Sequence, residues 1–132
     1  MKNIRDGVLK AILTLITVMP IAGVLGIFPE PTADLYTSQR SFAFIQAIMD
    51  AQYIMVVMAI VFAAVAVLLW TKRVALAALL LLPLTVNIVG FHLFLDGGLF
   101  TAGAIMADAL LVLNIYFLYQ QRARYAGLLE KR

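Results

Sequence analysis

The chain has 132 residues, no cysteine, one histidine, a formal charge of +3 and a mean hydropathy of +1.02. Hydrophobic residues make up 64% of it and charged residues 13%, against about 45–50% and about 25% in soluble domains, so lipid must be its main solvent. The missing cysteines exclude disulfides, thiolate metal sites and thiol exchange. The lone histidine excludes bis-histidine haem, or a di-iron centre of two Glu-x-x-His motifs, within one chain.

A helix needs about 20 apolar residues to cross a bilayer, and four runs have that length. They cover approximately 7–28, 51–70, 74–95 and 101–119. Backbone groups in hydrocarbon must bond within their own segment, so each run is expected to be a helix. The first run opens after Met1 to Arg5, which resembles the charged region of a secretory signal. Its apolar stretch is too long for one and no A-x-A site closes it, so it is read as a span. Pro20 lies inside it and frees the carbonyl of Ile16. Gly23 and Gly26 would admit close backbone approach.

The connection from Pro29 to Gln52 begins as loop, PEPTADLY. It continues as TSQRSFAFIQAIMD, where Phe42, Ile45 and Met49 fall at helical spacing and Thr37 or Ser38 can cap. This predicts a short helix over about 38–50, lying on the outer interface or running into the second span. Tyr53 and Trp70 flank the apolar second span as interfacial anchors. The tight Thr71-Lys72-Arg73 turn makes spans two and three antiparallel neighbours. Span three contains Pro83, Asn87, Gly90 and His92 and ends in Asp96-Gly97-Gly98, where Asp96 reads as a turn residue. Span four carries Asp108 and Asn114. The basic tail from Arg122 to Arg132 reads as a surface against anionic headgroups, not a nucleic-acid site.

Four spans place nine of the ten basic residues on one face: Lys2, Arg5, Lys10, Lys72, Arg73, Arg122, Arg124, Lys131 and Arg132. Only Arg40 falls on the other, with Glu30, Asp34, Asp50 and Asp96. Such bias predicts an all-α, four-helix integral membrane bundle of the inner (plasma) membrane, a single domain with both termini cytoplasmic.

Polar side chains inside a span are candidate functional groups because lipid makes them costly. At about 1.5 Å per residue, His92 lies roughly 5 Å, Asn87 roughly 12 Å and Asp108 roughly 10 Å from the outer edge. These comparable levels on adjoining helices predict a polar cluster near the outer leaflet. The structural alternatives are a half-wet interfacial His92, an Asn87 that bonds a neighbouring helix, and an Asp108 in a buried hydrogen bond. Asn114, Thr14, Thr17 and Thr85 read as helix–helix contacts.

The block PLTVNIVGFHLFLDGG, with four spans and a basic C-terminus, resembles the DoxX and DoxX-like family of small four-helix membrane proteins. The matching residues are Val86, Asn87, Ile88, Phe91, His92, Phe94 and Leu95. Many relatives carry a lysine or glutamate in the second span; here Ile54 to Leu69 is wholly apolar. The resemblance implies a link to respiratory or sulfur-oxidation complexes, some of them quinone-reducing.

With no self-contained catalytic or cofactor motif, the leading expectation is an accessory or scaffold subunit beside other membrane or periplasmic redox proteins. An alternative is a binder of a quinone or other lipophilic molecule, with His92 as hydrogen-bond donor or proton acceptor, Asp108 as its orienting partner, Asn87 at a comparable level, and Phe91 and Phe94 as the apolar wall. A small oligomeric transporter ranks last, since four spans leave little lumen.

Overall fold

The computed structural model describes residues 2–129. Six α-helices carry the fold: α1 (Lys2–Val24), α2 (Gln39–Asp50), α3 (Tyr53–Trp70), α4 (Val74–Phe94), α5 (Ile105–Gln120) and α6 (Arg122–Leu129). Short 3₁₀ turns at Ala33–Leu35 and Ala102–Ala104 precede α2 and α5. Four segments are long and apolar enough to cross a membrane: Asn3–Val24, Tyr53–Trp70, Val74–Phe94 and Ala102–Gln120.

α1 packs chiefly on α3, α3 on α4 and α4 on α5, and a shorter α1–α5 contact closes the ring. Each helix turns one narrow stripe inward. On α3 the stripe is Phe62, Val65 and Leu69; on α4 it is Ala78, Leu81 and Thr85; on α5 it is Leu110, Asn114 and Phe117. These spacings of three and four residues follow the 3.6-residue period. The small Ala77 and Ala78 face the bulky Phe62 and Phe117 within one core. Ile60, Val67 and Val112 point outward, as they can where the surroundings are hydrocarbon rather than water.

One end of the bundle gathers the start of α1, the end of α5 with α6, and the Lys72 turn. There the Tyr125 hydroxyl donates to the Ala75 carbonyl (2.9 Å), and Trp70 Nε1 donates to Thr14 Oγ1 (3.0 Å). Tyr116 Oη and Gln120 Nε2 both donate to the Asp6 carboxylate, at 2.8 and 2.9 Å. The other end holds α2 and the α4–α5 hairpin. We call these the basic end and the loop end.

α1 stops at Val24 rather than near Phe28, and glycine explains it. Gly26 adopts φ +71°, its N–H donates to the Gly23 carbonyl, and the Ile27 N–H donates to the Ala22 carbonyl, each at 3.0 Å. That pair of bonds is a Schellman termination, which uses a left-handed residue to satisfy the last carbonyls. Neither Pro20 nor Pro83 ends its helix; α1 and α4 run through both. The short helix expected over 38–50 forms as α2 with Ser38 as N-cap. It does not merge with α3, because Gln52 at φ +46° breaks the chain direction. The basic tail continues as α6 through Leu129, whereas Lys131 and Arg132 lie outside the described residues.

Candidate functional site

The loop end is organised around Asp96, which is 1% exposed. α4 ends at Phe94, and the chain then turns through Gly97 and Gly98, at φ +83° and +96°. The turn carries the Asp96 carboxylate under the connection that precedes α2. There the Thr37 backbone N–H donates to Asp96 Oδ1 (2.9 Å), and the Thr37 hydroxyl donates to the same oxygen (3.1 Å). The Ser38 hydroxyl donates to the Leu95 carbonyl (3.2 Å), and Ser38 forms a capping box with Ser41. Gly97 is required twice over. A side chain there would be strained at its positive φ, and a Cβ would stand 3.1 Å from Thr37.

His92 sits one helical turn before Asp96, and its Nδ1 lies 3.2 Å from Asp96 Oδ2. The nitrogen is buried and the contact lies off its N–H direction, so the attraction is electrostatic more than directional. Burial pushes the Asp96 pKa up. The Thr37 amide, the Ser41 and Thr37 hydroxyls and then His92 outweigh it and hold the carboxylate below its ordinary value. Beside it, burial and then the Asp96 charge raise the Tyr36 phenol, which keeps that ring neutral.

An aromatic layer joins this latch to α2. The Phe91 ring packs edge-on to His92 (centroids 5.0 Å) and to Tyr36 (6.2 Å), and stacks on Phe44 (5.8 Å). Phe44 forms one wall of an open groove of about 360 Å³ along α4. Val86, Asn87, Gly90 and Phe91 line its length, with Phe94 and Leu95 at the end nearest the turn. The Asn87 amide donates to the Pro83 carbonyl one turn back (2.8 Å). That bond keeps its polar head against its own helix.

The structure thus divides the five candidate residues. Asn87, Phe91 and Phe94 share the groove. His92 stands behind Phe91 and pairs with Asp96 rather than with Asp108. Asp108, half-buried in the first turn of α5, makes no hydrogen bond or ion pair among the described residues. The reason is azimuth. Five residues separate Asn87 from His92, which turns them about 140° apart on a helix, whereas His92 and Asp96 at i and i+4 share a face. The i, i+4 spacing of His92 and Asp96 was the readable signal.

Two further polar features were not singled out as sites. Asn114, 1% exposed, donates from Nδ2 to the Ala78 carbonyl (2.9 Å), tying α5 to α4 in mid-span, while its Oδ1 finds no partner among the described residues. At the basic end a polar recess of about 370 Å³ lies between Asp6, Gln120, Gln121, Ala123 and Arg124. Among the described residues no cluster of three or more His, Cys, Asp or Glu could hold a metal ion.

No protein-family model, curated protein or solved structure matches the chain.

Proposed function

We propose that this is a DoxX-like, multi-pass protein of the inner membrane that holds a lipophilic small molecule, of quinone type or another, in the groove between α2 and α4. The observation that carries the reading is the convergence of Asn87, Phe91, Phe94 and Phe44 on one recess of about 360 Å³. That is within the roughly 300–1,000 Å³ usual for ligand sites, and its walls are mainly apolar with one polar group. The basic end faces the cytoplasm, because Lys72, Arg73, Arg122 and Arg124 gather there and cytoplasmic loops concentrate such residues. The groove then opens near the outer leaflet and α2 lies along the interface. His92 serves as a positioning residue: braced by Asp96, it supports the Phe91 ring that walls the groove. Redox chemistry on a bound quinone would belong to a partner complex.

The test is photolabelling of the full chain in nanodiscs with diazirine-bearing lipophiles, one quinone-headed and one phospholipid. Label from at least one probe should fall between Val86 and Phe94 and disappear in Gly90→Leu. Labelling by both probes spread evenly over all four spans refutes the reading.

A second reading, as an accessory subunit, is favoured by Asp108. A carboxylate roughly 10 Å below the interface costs about 2.5–3.5 kcal/mol at a span centre and less nearer the edge. The α5 N-terminus offsets part of this, and a hydrogen-bond donor on a neighbouring chain would supply the rest. Native complexes isolated in mild detergent should lose a partner in Asp108→Ala. An unchanged complex, or a chain that always migrates alone, counts against it.

A further inference from the structure

Arg40 is the one basic residue of the loop end among the described residues, and there it makes no ion pair or hydrogen bond. It precedes Phe44 by four positions on α2, so the two side chains share a helix face one turn apart. Phe44 walls the groove. One turn toward the α2 N-terminus, Ser38 is fastened to the carbonyl of Leu95, the residue at the groove's end. Arg40 is exposed and does not itself line the groove. Its long side chain starts one turn from Phe44 on the side of the Ser38–Leu95 bond, within reach of the end from which Phe94, Gly90 and Val86 run inward at spacings of four along α4. The nine residue steps from Val86 to Leu95, the cap of α4, give the groove a length of roughly 14 Å. A cation within reach of the end of an apolar groove matches a molecule with an anionic head and a hydrocarbon tail.

We propose that the groove is a binding site for an anionic phospholipid of the surrounding leaflet, its phosphate held by Arg40 and one acyl chain laid along Val86, Gly90 and Phe94. This rests on the groove reading above and narrows its ligand. Gly90 keeps the groove open: it lines the groove, and a Cβ built there meets nothing within 4 Å, so a side chain at this position starts into open space. Arg40 supplies the selectivity. A basic residue near a membrane surface attracts anionic lipid by an amount equivalent to about five-fold in affinity, and a guanidinium can bond two phosphate oxygens at once.

The experiment reconstitutes the full chain from vesicles of equal phosphatidylglycerol and phosphatidylcholine with matched chains. Lipid retained after detergent washing is then counted by native mass spectrometry. Wild type should retain phosphatidylglycerol about five-fold over phosphatidylcholine. Arg40→Gln should keep one lipid bound with that preference gone, and Arg40→Lys should restore part of it. Gly90→Leu should retain neither lipid while unfolding at or above the wild-type temperature. Equal retention of both lipids by wild type, lost in Gly90→Leu, overturns the anionic assignment and leaves the groove reading standing. Retention by Gly90→Leu equal to wild type overturns the placement in the groove.

Discussion

Removing the Asp96 carboxylate should release the connection before α2 without dissolving the bundle. In Asp96→Ala two hydrogen bonds from Thr37 lose their acceptor. Bonds to an ionised acceptor contribute about 1.5–3 kcal/mol each. Thr37 is itself exposed, which favours the low end and gives about 3 kcal/mol for the pair. At roughly 1.4 kcal/mol per factor of ten, opening of this segment becomes about a hundred-fold more frequent. Asp96→Asn keeps an oxygen for Thr37 but as a neutral acceptor, so its effect should be nearer ten-fold. The assay is amide hydrogen exchange in nanodiscs, read at Thr37, Ser41 and Phe42 against amides of α3 and α4. Exchange in Asp96→Ala within about threefold of wild type at these amides refutes the latch. Uniform acceleration over all helices would instead mean that Asp96 supports the whole fold.

The same segment should tolerate acid. The pKa of Asp96 is lower in the folded protein than in an unfolded chain, so the unfolded state binds more protons in the interval between the two values. The stabilisation is therefore full above the ordinary carboxylate value of about 3.9 and is lost only as pH falls through the lower folded value; exchange at Thr37 that rises already between pH 6 and 5 contradicts this. Gly97→Ala should destabilise the loop end by about 1–2 kcal/mol through its positive φ and its approach to Thr37. Gly90→Ala, in open space within a helix, should be neutral or stabilise by up to about 1 kcal/mol; thermal melts of the two variants should move apart. Because the chain has no cysteine, single cysteines at Lys72 and Arg124 should react with an impermeant maleimide only from the cytoplasmic side, and one at Arg40 only from outside. Asn114→Ala should lower stability by about 1–2 kcal/mol in a steric-trap or unfolding assay, in the upper range of hydrogen bonds between membrane helices; an unchanged midpoint would assign the Ala78 contact no energetic role.

The four long helices were legible because their signal is compositional: runs such as Ile54 to Leu69 have no soluble alternative. Their ends were less so. Phe28 is as apolar as Val24, and what stops α1 is the backbone geometry at Gly26, which hydropathy does not register. α6 was hidden by its charge. Arg122 and Arg124 read as a solvated tail, and the bond from Tyr125 to Ala75 spans 50 residues of sequence. For the site, depth was readable from helix rise but direction was not. Counting residues put His92, Asn87 and Asp108 at one level, yet the groove takes Asn87 and turns His92 toward Asp96. Asp96 itself was masked by its neighbours, since an aspartate before two glycines looks like a turn; it is a turn residue and the hub of the latch together.

The hydrogen bonds from Tyr116 and Gln120 to Asp6 bridge 110 and 114 positions of sequence. The ribosome therefore delivers the acceptor more than a hundred residues ahead of its two donors. Until α5 leaves the insertion machinery, α1 has chiefly α3 to lean on, and the ring of helices stands open along the α1–α5 seam. Closure through Asp6 must wait for α5, and truncation before Tyr116 would remove both donors from that seam.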